Sequence, residues 1–269
     1  MHAVIVGLGS DIGREIAYRL QRDGWKVSGT ARSYAMWHTA DDTEVPTIRL
    51  CDLTDRAQVD EAVDMLREPW DLLLFAAGTY EPLGAFMQCD EHEWERCLTV
   101  NALAPLRMLR RMYPLRRIGA SVAFFAGPNP NRANPTYSAY MAGKVILHKA
   151  VEDIQAECDA AGDDLRLFIL GPGLTRTKML NETIRAGTRA GWYERVKAFL
   201  ASGEQGTSFD DIYAMLRKCM EGTWAKGRNI HVKDNWRMMP QRDGMPARWA
   251  DDTFKLRRVE HSEARTGAQ

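Results

Sequence analysis

The sequence predicts an α/β protein: a single doubly wound domain on a mostly parallel sheet of about seven strands, with helices on both faces. Three observations predict it. Short apolar runs alternate with longer stretches of helical spacing, the rhythm of repeated strand–helix units. The run 71–77 is apolar almost throughout, as parallel strands covered on both faces are. The chain has 269 residues, 45% of them hydrophobic and 27% charged, enough for one large core without a second domain.

Each element has its own signal. Residues 3–6 read as the first strand and run straight into the glycine-rich stretch 7–13. Ile12, Ile16, Ala17 and Leu20 then recur at helical spacing and stop before Gly24. Residues 27–30 and 47–50 read as strands two and three. Asp52, Thr54 and Asp55 can each cap the helix that follows, to about residue 67. After the strand at 71–77, a helix from about residue 91 is expected to break at Pro105. Strand five is 121–126, and a long helix spans about 136–161 and ends at Gly162. Strand six is 165–170, an irregular helical segment covers 175–205, a helix covers 209–221 and a last short strand covers 229–232. The domain is therefore drawn as 1–234. Residues 235–269, with two prolines, dense mixed charge, Trp236 and Trp249, read as a tail that packs first and frays later.

Composition excludes several classes of function. Lys plus Arg number 36 and Asp plus Glu number 36, so bulk charge does not recruit nucleic acid or an anionic membrane. The longest apolar run, 72–77, is far too short to span a bilayer, and the opening MHAVIVGLGS lacks the basic lead of a secretory leader. Five cysteines without a CxxC, and six histidines without metal spacing, point to a reduced, cytoplasmic chain with no metal site.

Two clusters carry chemistry. Gly7, Gly9, Ser10, Asp11, Ile12 and Gly13 follow the first strand and open a helix, where glycines let a diphosphate approach and the helix start offers free N–H groups. The spacing is not GxGxxG, and an ordinary strand-to-helix turn remains a competing reading. The second strand ends without the acid that NAD sites place there, whereas Arg32 can fork onto a 2′-phosphate or simply be a solvated loop residue. Asp52 can accept from an adenine amino group or cap a helix. The second cluster opens the long helix: Tyr140 and Lys144 are four apart and share a face, and a nearby ammonium lowers a phenol's pKa. Alone, such a pair is often just a surface pair.

Taken in order along the chain, these features resemble the short-chain dehydrogenase/reductase family, over residues 1–232. Gly7-x-x-x-Asp11-x-Gly13 resembles the family's glycine-rich turn with an acid in the middle place. Phe75-Ala76-Ala77-Gly78 resembles its Asn-Asn-Ala-Gly with both asparagines lost, and Asn101 matches the family's helix-bend asparagine. Tyr140 and Lys144 match the catalytic pair, and Pro172-Gly173-x-x-x-Thr177 matches the stretch lining the nicotinamide.

The resemblance implies a Rossmann-type fold and an NADP(H)-dependent oxidoreductase, NADP(H) favoured over NAD(H). It implies hydride transfer to or from a carbonyl or alcohol carbon of a small, polar substrate. Tyr140 would be the proton donor or acceptor, with Lys144 and Asn101 supporting it. Leu53, Ala76, Ala77, Gly78, Pro172, Gly173, Thr175 and Thr177 would line the cofactor. Where the family carries a serine, thirteen residues before the tyrosine, this chain has Gly127. Asn129, in an amide-rich loop that also reads as plain turn chemistry, is the candidate substitute, with room left by Gly127. The segment 178–205 is expected to be a lid, and its mix of aromatic and basic residues leans toward a sugar-like or anionic substrate. Helices near 101–113 and 141–158 are apolar on more than one face, which predicts a homodimer or homotetramer. A nucleotide-binding sensor with little turnover is the alternative function.

Overall fold

In the computed structural model the described residues are 1–34, 46–128, 130–239 and 255. Seven strands form one parallel sheet. They are β1 (His2–Val6), β2 (Lys26–Ala31), β3 (Thr47–Leu50), β4 (Trp70–Phe75), β5 (Arg116–Phe125), β6 (Arg166–Gly171) and β7 (Asn229–His231), in the spatial order β3-β2-β1-β4-β5-β6-β7. The order reverses between β1 and β4, whose register pairs Val6 with Phe75. In open α/β sheets ligands bind outside the carboxyl ends of the strands at such a reversal.

The sheet separates two cores because alternate strand residues face opposite ways. Val4, Val6, Leu73, Phe75, Val122, Phe124, Leu167 and Ile169 meet the helices α2 (Arg56–Met65), α4 (Ala104–Met112) and α5 (Ser138–Ala160). Ala3, Ile5, Leu72, Leu74, Ala123, Phe168 and Leu170 meet α1 (Asp11–Arg22) and α8 (Phe209–Glu221). Trp236 and Met239 join this second core, so the chain after β7 begins as packed structure. Trp249 and the rest of the tail lie outside the described residues, Lys255 excepted.

The helix after β4 corrects one expectation. It does not break at Pro105. Instead α3 (Glu91–Leu98) passes into α4 through a π turn, Thr99–Leu103, and Pro105 sits in the first turn of α4, where its missing N–H is tolerated. Gly143 of α5 permits this close approach, since a Cβ there would lie 3.0 Å from Asn101 Cβ. After β6 come α6 (Leu180–Ala186) and α7 (Tyr193–Ala201), which pack on each other over the C-terminal edge of the sheet.

Candidate active site

The turn between β1 and α1 requires its glycines. Gly7 has φ +99°, and a Cβ on it would meet Ala77 N at 2.5 Å; one on Gly13 would meet Gly7 O at 2.4 Å. The Ser10 hydroxyl closes the turn by donating to Gly7 O and accepting from Gly13 N, so it caps α1. The backbone N–H groups of Gly9, Asp11 and Ile12 take no hydrogen-bond partner among the described residues. A turn that leaves three donors at a helix start fits a diphosphate. Ala76 and Ala77 bind back to Val6 O through their N–H groups, which fixes the second wall of the crevice.

Arg32 follows β2 directly and is exposed. Asp52, just past β3, does not cap α2; Asp55 does, accepting from Ala57 N and Gln58 N. Asp52 Oδ1 instead accepts from the N–H and hydroxyl of Thr54. Burial pushes its carboxyl up, but the Thr54 hydrogen bonds and the charges of Arg96 and Arg32 outweigh it and hold the group below its ordinary value. Leu53 is buried beneath it.

The second part of the site is built on α5 and the π turn. Asn101 is buried, and its Nδ2 donates to Thr79 O at 2.8 Å and Cys97 O at 2.9 Å. Tyr140 and Lys144 are also buried. The Lys144 ammonium donates to Phe125 O at 2.8 Å and lies 5.5 Å from the Tyr140 ring centroid. Burial pushes Lys144 down to about 8. It pushes the Tyr140 phenol well up, helped by Tyr80, Cys97 and Glu182. This corrects the expectation that the lysine depresses the tyrosine: the ammonium is aimed at the β5 carbonyl, and desolvation dominates the phenol.

Gly127 corrects a second expectation. A Cβ there would lie 3.1 Å from Lys144 Cγ and 3.1 Å from Tyr140 Cε1, so the space is filled by the pair itself. Asn129 lies outside the described residues. Gly173 has φ +71° and lies against Thr207, and Thr175 is buried with its hydroxyl on Pro172 O. The Thr177 carbonyl accepts from Leu180 N and so starts α6.

Tyr80 escaped the sequence reading, and Lys178, Met179 and Glu182 entered it only within the expected lid segment 178–205. Tyr80 sets its ring edge-on to Tyr140 (4.8 Å), Tyr137 (5.5 Å) and Trp192 (6.0 Å). Glu182 of α6 accepts from Tyr80 N at 2.6 Å and Thr79 Oγ1 at 3.1 Å, and burial raises its carboxyl. Met179 Cε sits 3.1 Å from where a Gly78 Cβ would be. Lys178 donates from its N–H to Asp11 Oδ2 at 2.6 Å and from its ammonium to Gly9 O. Among the described residues no group of three His, Cys, Asp or Glu side chains could hold a metal ion. No described helix is long and apolar enough to cross a membrane.

The glycine turn at the sheet reversal and the buried Asn101, Tyr140 and Lys144 set the terms in which known proteins compare. The family model for short chain dehydrogenase matches residues 1–187, and the chain belongs to that family. It is 32% identical over 190 residues to glycine betaine reductase ATRR of Emericella nidulans, covering 66% of this chain and 15% of that protein. It is 29% identical over 192 residues to 2-keto-3-deoxy-L-fuconate dehydrogenase of Xanthomonas campestris, covering 68% and 61%. The chain thus spans less than two thirds of either relative. Among solved structures, a short chain dehydrogenase/reductase from Saccharomyces cerevisiae superposes with TM-score 0.76 at 18% identity, covering 89% of this chain and 99% of that one. BdcA, solved in complex with NADPH, gives 0.69 at 18% identity, covering 86% and 91%.

Proposed function

We propose that this chain is an NADP(H)-dependent oxidoreductase that moves a hydride between the nicotinamide and a carbonyl or alcohol carbon of a small polar substrate. The observation that carries the reading is the joint burial of Asn101, Tyr140 and Lys144 near the sheet reversal, beside a turn with three N–H donors that take no partner among the described residues. The cofactor supplies the hydride; the chain supplies the proton and the geometry. Tyr140, held protonated by burial, delivers its proton to the carbonyl oxygen in reduction and takes it back in oxidation. Lys144, donating to Phe125 O beside the Tyr140 ring, would hold the nicotinamide ribose. Asn101 fixes the π turn through Thr79 and Cys97 and so fixes the floor beneath them.

Arg32 supports the choice of NADP(H), as an exposed guanidinium at the end of β2 where no acid stands. The Glu182 carboxylate is engaged by Tyr80 N and Thr79 Oγ1, so it does not choose between a sugar-like and an anionic substrate. The Xanthomonas relative is named for a keto-deoxy-fuconate. Two or four copies are proposed to associate through α4 and α5, in the cytoplasm.

Gly127 favours a second reading, a nucleotide-binding protein with little turnover, because no hydroxyl stands beside Tyr140 at that place. One experiment separates the two. NADPH consumption is followed over a panel of polyol-like aldehydes and ketones, with NADPH affinity measured in parallel. Turnover that Tyr140→Phe abolishes, with affinity kept, supports the enzyme. Tight NADPH binding without turnover on any member of the panel favours the second reading.

A further inference from the structure

Asp11 places a carboxylate in the first turn of α1, between the unpartnered N–H groups of Gly9 and Ile12. An acid there favours the helix, since it faces the positive end of the dipole. It opposes a diphosphate on the same turn, because like charges repel, more strongly at a protein surface than in bulk water. The structure brings the counter-charge from far along the chain. The Lys178 N–H is held on Asp11 Oδ2 at 2.6 Å, and its ammonium reaches across to Gly9 O on the turn itself. Arg14 approaches Asp11 Oδ1 at 3.4 Å, and Lys178 lies within electrostatic reach of both Arg14 and Arg32. Arg14 and the Lys178 ammonium therefore lie near one carboxylate at the mouth of the crevice, with Arg32 in reach of Lys178.

One acceptor of the ammonium, Gly9 O, is a neutral carbonyl. A phosphate oxygen carries charge, and charge-assisted hydrogen bonds are about twice as strong as neutral ones. We propose that Lys178 is a ligand of the dinucleotide's diphosphate, supplied by the segment after β6 and positioned by Asp11. The inference rests on the nucleotide-binding reading above. Asp11 holds the Lys178 backbone while the side chain turns from Gly9 O to the phosphate. The next residue, Met179, lies on Gly78, and Glu182 four positions on clasps Tyr80. Diphosphate binding is thereby tied to the segment that covers Tyr140.

The test uses nucleotide fragments and the full chain, by calorimetric titration with ADP, 2′,5′-ADP and adenosine. Lys178→Met should weaken ADP about 10-fold, the value of one charge-assisted hydrogen bond, and leave adenosine unchanged. The salt dependence of ADP binding should become shallower, and Lys178→Arg should restore most of the affinity. Arg32→Ala should weaken 2′,5′-ADP and spare ADP, which separates the two cations. ADP affinity in Lys178→Met within about twofold of the parent overturns the inference and leaves the nucleotide reading standing. A parent protein that binds neither NADPH nor ADP overturns both.

Discussion

Lys144 shows how a single buried group reports on the site. It is 6% exposed, and burial pushes it down to about 8 from an ordinary 10.5. Below pH 8 both the folded and unfolded chains carry the proton, so the burial penalty is present in full. Between pH 8 and 10.5 the unfolded chain holds more protons than the folded one, and this group's contribution to stability rises with pH. Unfolding free energies of the parent and Lys144→Met should therefore converge or cross on going from pH 7 to pH 10, moving by about 2 kcal/mol in favour of the parent. Parallel pH profiles from urea denaturation would show the ammonium to be solvated. Tyr140 and Lys144 were legible in the sequence because a helix puts positions four apart on one face. Their pKa directions were not, because both the burial and, for Tyr140, the neighbouring Tyr80, Cys97 and Glu182 are brought in by the folded chain from other elements. Lys178 and Glu182 were illegible for the same reason. Their partners stand 167 and 102 residues away.

At the scale of elements, the π turn and α6 meet at one short loop. Asn101 grips Thr79 from below, and Glu182 grips Thr79 and Tyr80 from above. The loop 78–80 is held between a fixed helix and a covering one. Removing the upper grip should free it locally while the sheet stays intact. Glu182→Ala should accelerate hydrogen exchange of the Tyr80 amide and of residues 180–186 about 10-fold or more, whereas Glu182→Gln, which keeps an acceptor, should change it little. Equal exchange in both variants would mean that α6 is held by Leu180 and its apolar neighbours alone. Ser10, read only as part of the glycine-rich turn, proved to cap α1, whereas the sequence located the cap Asp55 and the stop before Gly24. It misplaced the break near Pro105 because a proline in the first turn of a helix and one that interrupts a helix look alike in one dimension.

For the whole molecule, the alternation of elements implied a mostly parallel sheet of about seven strands, and seven parallel strands form it. The surface is another matter. Leu109 and Met112, which suggested an extra apolar face on α4, are buried within the chain. Leu103, at the end of the π turn, is 43% exposed and remains for a partner copy. Self-association should then depend on it. The parent should sediment as a dimer or tetramer at micromolar concentration, and Leu103→Asp should shift it toward the monomer without lowering its melting temperature. A monomeric parent would mean that Leu103 is one of the scattered surface apolar residues that need no explanation.

Gly127 bears on how this site can change over generations. Any side chain there meets the Tyr140 ring and the Lys144 stem at 3.1 Å, tight enough that the pair must shift by some tenths of an ångström. A first mutational step toward a hydroxyl at this place disturbs the two groups that the hydroxyl would assist. Whether the hydroxyl helps or harms is decided by how far the Lys144 stem and the Tyr140 ring give way. The wall beside the tyrosine therefore changes only together with the pair that does the chemistry.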